Sequence, residues 1–207
     1  MIRLWVANTD LDWFDFLASQ PGIDEVNFWQ PSGSNDFGAI RPGELFVFRL
    51  KSPRNAIGGY GVFSHASNLP VSYAWESLGI KNGAASQREV RERVGRYRRQ
   101  NSPLEDYTIG CRIVTQPVFL PPERWIPQPS NWARSIVVGK SYSTDTAEGR
   151  ALWEEINAAD LAIPKALPGF GEEQLRFVVS DRVRTDFNNG NEYRRLHGTV
   201  VAEPRAT

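Results

Sequence analysis

The sequence predicts an α+β protein: a twisted, mostly antiparallel β-sheet or small β-barrel with helices at its periphery. Three observations lead there. Several short segments alternate apolar and polar residues with the period of a strand, and two stretches place a capping residue ahead of a helical apolar stripe. The segments also follow one another without the regular strand-helix-strand alternation of a parallel sheet.

Residues 2–8 alternate, with Ile2, Leu4 and Val6 on one side. Asp10 then caps a helix whose stripe is Trp13, Phe14 and Leu17, and Pro21-Gly22 stops it. EVNFWQP, residues 25–31, reads as a second strand, and residues 41–50 as a turn followed by a third. NAIGGYGVFSH, residues 55–65, reads as a fourth strand interrupted by glycines, which mark a bulge or a close approach of backbone to something else. After Pro70 comes a short helix closed by Gly79. The helix over residues 86–100 is stronger: Ser86 and Glu89 form a capping box, and Val90, Val94 and Tyr97 recur at i, i+4 and i+7. Residues 106–120 supply a long strand that Pro117 bends or ends, and residues 121–132 a proline-rich surface loop. Residues 135–144 read as another strand, and residues 145–159 as a helix with Leu152 and Ile156 inward. A Pro/Gly connector near residue 161 divides the chain into a domain over 1–160 and an extension over 161–207. That extension completes the barrel or leads towards a further module.

Composition narrows the functional classes. Lys plus Arg and Asp plus Glu both number 24, so a polyanionic partner must meet a local patch and not a net field. A lone cysteine excludes an internal disulfide and fits a reducing compartment. No secretory leader and no long apolar run is present, which points to a cytoplasmic protein without a membrane partner. His65 and His197 lie far apart beside a single cysteine, so no metal-ligand cluster forms and no metal or other cofactor is expected. Phosphate-loop, dinucleotide and nucleophile-elbow motifs are missing, and Cys111 sits in an apolar strand as a small buried hydrophobe. No catalytic residue emerges.

Three positive features remain. NFWQPSGSNDF, residues 27–37, sets Trp29 among small polar groups where a strand gives way to a turn, a composition suited to a pocket wall. In KSPRNAIGGYGVF, Lys51, Arg54 and Asn55 precede the glycine-rich strand; a ligand-approach site and a plain bulged hairpin both fit it. The helix after Ser86 holds six arginines, Arg88, Arg91, Arg93, Arg96, Arg98 and Arg99, against Glu89 and Glu92. Ion pairs along a solvated face account for some of them, and a phosphate-binding stripe for the surplus.

Residues 26–63, from VNFWQPSG to GGYGVF, resemble the first half of a PUA-like domain of the EVE and YTH kind. DWFDFLA, EVNFWQPSG, PGELFVFRL, LPVSYAWESLGIKNGAAS, IGCRIVTQPVFLP, WIPQPSNW and VVGKSY are similar to the amino-terminal region of bacterial HNH endonucleases. The resemblance implies a reader of modified double-stranded DNA, with the nuclease module following in longer relatives. It implies a PUA-like fold and a pocket for a flipped-out base. Trp29 is then the stacking wall, with Tyr60 or Trp75 facing it, and Gln30, Ser32 and Asn55 read the base edge. Lys51, Arg54, Lys140 and Arg91, Arg96, Arg98 and Arg99 hold phosphates, and Ser141 and Tyr142 form the far rim. Two rivals stand beside this: a reader of a phosphorothioate backbone using LPVSYAW and FLPPERW, and a small-ligand or protein-interaction domain. Which modification is read, DNA against RNA, and the oligomeric state are all left open by the sequence.

Overall fold

The computed structural model describes residues 1–33, 37–98 and 106–161. It is a mixed α+β structure. Seven strands form one sheet: β1 Arg3–Thr9, β2 Glu25–Asn27, β3 Leu45–Leu50, β4 Ala56–Pro70, β5 Thr108–Phe119, β6 Ile126–Pro127 and β7 Gly139–Ser143. Four α-helices accompany them: α1 Leu11–Ala18, α2 Val71–Leu78, α3 Gln87–Arg96 and α4 Ala147–Leu161. None of the helices is long and apolar enough to cross a membrane.

The strand order is β2-β5-β4-β3-β1-β7, with β6 paired to β4. All pairs are antiparallel except β1 with β3, where Leu4 to Thr9 match Leu45 to Leu50 in register. β4 is the spine. Its first half pairs with β3 and its length pairs with β5, with register shifts between Tyr60 and Val62 and between Phe63 and His65. The glycines there are explained by its own sheet: a Cβ on Gly59 would collide with the Val118 carbonyl oxygen, and one on Gly61 with Val114 of β5.

The expected barrel does not close. β2 and β7 are the two ends of the sheet, and among the described residues no ladder joins them. The predicted strand over residues 25–31 stops as a ladder at Asn27. Beyond it Phe28 N donates to the Arg112 carbonyl (2.8 Å) and an isolated bridge joins Gln30 to Gly110, and Pro31 brings no N–H to extend the pairing. The seam between the edges is therefore left to side chains.

Three apolar clusters hold the sheet. Phe14, Phe28, Phe46, Phe48 and Phe63 fill one side with Trp13 and Leu17 of α1. Trp13 meets Phe28 (5.4 Å between centroids) and Phe48 (5.5 Å) edge-on, contacts worth about 0.5–1.5 kcal/mol each beyond area burial. Leu4, Val6, Tyr60, Trp132, Leu152 and Ile156 form the second cluster, with α4 inward as predicted. The third packs α2 and α3 on β5 through Val71, Ala74, Val90, Val94 and Ile109. The predicted extension over 161–207 and Arg99 lie outside the described residues, apart from Leu161 at the end of α4.

Candidate ligand cleft

A cleft of about 210 Å³ opens at the seam. Phe28, Trp29, Gln30 and Pro31, which run on from β2, form one wall, and Val137 and Val138, which lead into β7, form the other. Asn8 and Asp10 at the end of β1, Trp13 of α1, Lys51 after β3 and Tyr97 after α3 complete it. The lining is mainly apolar, and Val137, Tyr97 and Val138 stand open to solvent at 78%, 53% and 45% exposure.

Trp29 is braced. Its indole Nε1 donates to the Asn82 carbonyl at 3.1 Å, and Trp13 Nε1 donates to the Asn27 carbonyl at 3.3 Å. Asn27 and Asn82 are both fully buried and joined by a 2.9 Å bond from Asn27 Nδ2 to Asn82 Oδ1. A buried amide pair with its donors and acceptors used is rigid, so both indoles that line the cleft are fixed from behind. Gly83, at φ +80°, follows Asn82 directly beneath Trp13, where any Cβ would run into the indole.

The polar rim is a three-residue chain. Asp10 accepts from Lys51 Nζ at 2.6 Å on Oδ1 and from the Tyr97 hydroxyl at 2.8 Å on Oδ2. Lys51 Nζ also lies 5.3 Å from the Tyr97 ring centroid. Burial pulls the Lys51 ammonium down, but its bonds and attraction to Asp10 outweigh that and hold its pKa above the ordinary 10.5. Burial and then Asp10 raise the Tyr97 hydroxyl, so it stays protonated at neutral pH. Asn8 is committed too: Oδ1 accepts from Arg49 at 2.6 Å, and Nδ2 donates to the carbonyls of Ile136 (2.7 Å) and Val137 (3.0 Å). A second compartment of about 130 Å³ adjoins the cleft, shares Asp10, Trp13, Trp29 and Tyr97 with it, and is lined further by Leu11, Asp12, Arg93 and Arg96.

The sequence-predicted site residues divide accordingly. Trp29, Gln30 and Lys51 meet in the cleft, and Arg96 in its annexe. Ser32 is exposed just past the wall. Tyr60 is buried in the second apolar cluster and Trp75 packs against the third, so neither faces Trp29 across the cleft. Asn55, at φ +49°, accepts on Oδ1 from Nη2 of the buried Arg49 at 2.7 Å and lines no part of the cleft. Arg54 lies over the Trp125 ring (5.6 Å), and Arg91 sits 3.5 Å from Asp106. Arg98 donates to the Pro31 carbonyl at 2.6 Å and lies over Tyr107, buttressing the wall from outside. Lys140 donates to the Asn131 carbonyl, and Ser141 is exposed beside it. Tyr142 is 5% exposed; its hydroxyl donates to Asn131 Oδ1, and burial, with Glu148, pushes its pKa up to about 12. Cys111 is buried and its thiol is pushed up to about 11, chiefly by desolvation, which keeps it un-ionised.

Sequence reasoning missed Asp10, Asn82, Tyr97 and Arg112. Asp10 reads as a helix cap and does begin α1, although its side chain makes no cap bond and goes to the cleft rim instead. Tyr97 reads as the third residue of a buried stripe, whereas α3 ends at Arg96 and turns it outward. Among the described residues no group of three or more His, Cys, Asp or Glu stands ready for a metal.

No protein-family model matches this chain, and no curated protein matches it. Among solved structures it is similar to the ASCH protein of Zymomonas mobilis, with a TM-score of 0.49 at 11% identity over 73% of this chain and 94% of that one. A serine-to-alanine mutant of the same Zymomonas mobilis protein gives a TM-score of 0.46 at 10% identity over 73% and 94%.

Proposed function

We propose that the chain binds nucleic acid and takes a single flipped-out base, one carrying a modification, into the seam cleft. The observation that carries this is the braced Trp29 on a mainly apolar cleft of about 210 Å³, with a charged annexe beside it in which Arg96 stands among Asp10, Asp12 and the Glu89-paired Arg93. Cleft volume supports a single base: about 210 Å³ is below the roughly 300–1,000 Å³ of drug-sized pockets. Aromatic stacking contributes ~1–3 kcal/mol per base, the scale needed to offset the few kcal/mol of flipping. In this reading Arg96, which lines the annexe, takes a phosphate beside the flipped nucleotide. A role as the specificity module of a modification-dependent HNH nuclease, in a cytoplasmic restriction system, rests on the sequence resemblance.

The test is equilibrium binding of duplexes that carry single modified bases, a backbone phosphorothioate, or neither. Trp29→Ala is expected to abolish the preference for modified over plain duplex, a loss of roughly 10–100-fold, while salt-dependent binding to plain duplex persists. Because Trp29 is also part of the packing, Tyr97→Ala, an exposed change on the opposite rim, serves as the second variant with the same expected direction. Arg96→Ala should weaken all duplexes alike and lower the slope of log K against log salt by about 1. Discrimination that survives both aromatic changes, or that follows the phosphorothioate, sinks the base reading.

A further inference from the structure

We infer that a second cavity, separate from the cleft, binds an oxoanion, the phosphate or carboxylate group of a small molecule or a nucleic-acid backbone, as the counter-charge of buried Arg112. The inference does not depend on the base reading.

This cavity, of about 410 Å³, shares no lining residue with the cleft. Sheet register builds it. Ala66 of β4 pairs with Arg112 of β5, and Asn68 with Gly110, so Ala66, Asn68 and Arg112 leave the same face of the sheet. Gly110 adds no side chain to that face, and all four residues line the cavity together with Phe37, Arg41, His65 and Ser67.

Arg112 is the group there whose bonding is incomplete. It is only 6% exposed, and desolvation pulls its pKa down to about 10, which leaves it cationic at neutral pH. Nη2 donates to Gln30 Oε1, and the Phe37 ring lies over the guanidinium, its centroid 4.2 Å from Cζ. Nε and Nη1 are buried without a hydrogen-bond partner. One amide oxygen and one ring face soften a buried cation without neutralising it, and a buried charge lacking its counter-charge is strongly destabilising.

Among the described residues no carboxylate lines the cavity. Cys111, which does, is held un-ionised by the burial that pushes its thiol up to about 11. What the lining gathers instead is donors: a second guanidinium, Arg41, with Ser67 and Asn68. Donors around an unneutralised cation suit an oxoanion, whose several lone pairs form charge-assisted bonds with them. Nε and Nη1 are closed to solvent, so an anion bonds them directly only once the covering Phe37 ring, itself half-buried, turns aside.

Inorganic phosphate and acetate are the probes, each read by calorimetry and by melting midpoint against sodium chloride of equal ionic strength. Wild type is expected to bind at least one of them saturably, its midpoint rising by roughly 3–6 °C once the anion stands about tenfold above its Kd. Arg112→Met should abolish the saturable rise and, in chloride alone, melt no lower than wild type, because the unpaired charge is gone. Asn68→Asp, an isosteric change at an exposed position, keeps the question open should Arg112→Met fail to fold. It brings a carboxylate into the cavity, so it should melt above wild type in chloride and lose the anion response. Plain duplex identifies the source of the group: a backbone phosphate competes with the probe, whereas a free anion binds alongside the duplex. A wild type that takes up neither probe, or variants that keep its saturable response, overturns the inference. So does anion binding that appears only in Asp36→Asn, since the counter-charge then belongs to the chain itself.

Discussion

The side chain of Asn82 donates from Nδ2 to the carbonyls of Ala74 and Gly79, both at 2.9 Å, and accepts from Asn27 on Oδ1, while its own carbonyl takes the Trp29 indole. One residue thus ties α2, β2 and a cleft wall together, and its neighbour Gly83 leaves room for the second wall, Trp13. Gly83→Ala should be among the most damaging single-methyl changes in the chain. It combines a left-handed backbone site with overpacking on an indole, for about 2–4 kcal/mol of lost stability by urea denaturation. Trp29 was legible in the sequence because a tryptophan followed by Gln30, Pro31, Ser32 and Gly33 is an odd core residue. The Gln30 to Arg112 pairing was not, since its members stand 82 positions apart and a lone arginine in an apolar run carries no mark of its partner.

At the scale of elements, α3 shows both what periodicity tells and where it stops. Half of the predicted capping box forms: Ser86 Oγ accepts from Glu89 N at 3.3 Å, but the Glu89 carboxylate accepts from Ala85 N (3.0 Å) and not from Ser86 N. Ser86→Ala should cost about 1 kcal/mol of stability, read from the denaturation midpoint. The Ala85 N–H first, then Arg93, outweigh burial and hold Glu89 below its ordinary 4.5. A carboxylate depressed on folding stabilises above its unfolded value and loses that contribution as pH falls through the folded one. The wild-type melting midpoint should therefore fall as pH drops below about 4.5, and Glu89→Gln should start lower at neutral pH and fall less over that range. Val90 and Val94 were placed correctly by spacing. The i+7 extrapolation to Tyr97 failed because spacing does not say where a helix ends, and here the chain leaves the helix at Arg96 so that Tyr97 can reach Asp10.

For the whole molecule, alternation and capping were enough to read an α+β chain with a mostly antiparallel sheet. They could not decide closure, because whether β2 meets β7 depends on two short edges more than 110 residues apart in the sequence. The parallel β1 with β3 pair was likewise invisible, since strand direction leaves no trace in apolar spacing. The opening that results is a gap in the backbone circumference spanned by the walls of the cleft. A ligand wedged there would touch both edges at once and act as the missing stave of the barrel. Amide hydrogen exchange can detect this at a distance from any contact. On saturation with ligand, protection should rise together along β2 and β7, on opposite sides of the seam, while the β4 to β5 ladder at the centre of the sheet stays unchanged.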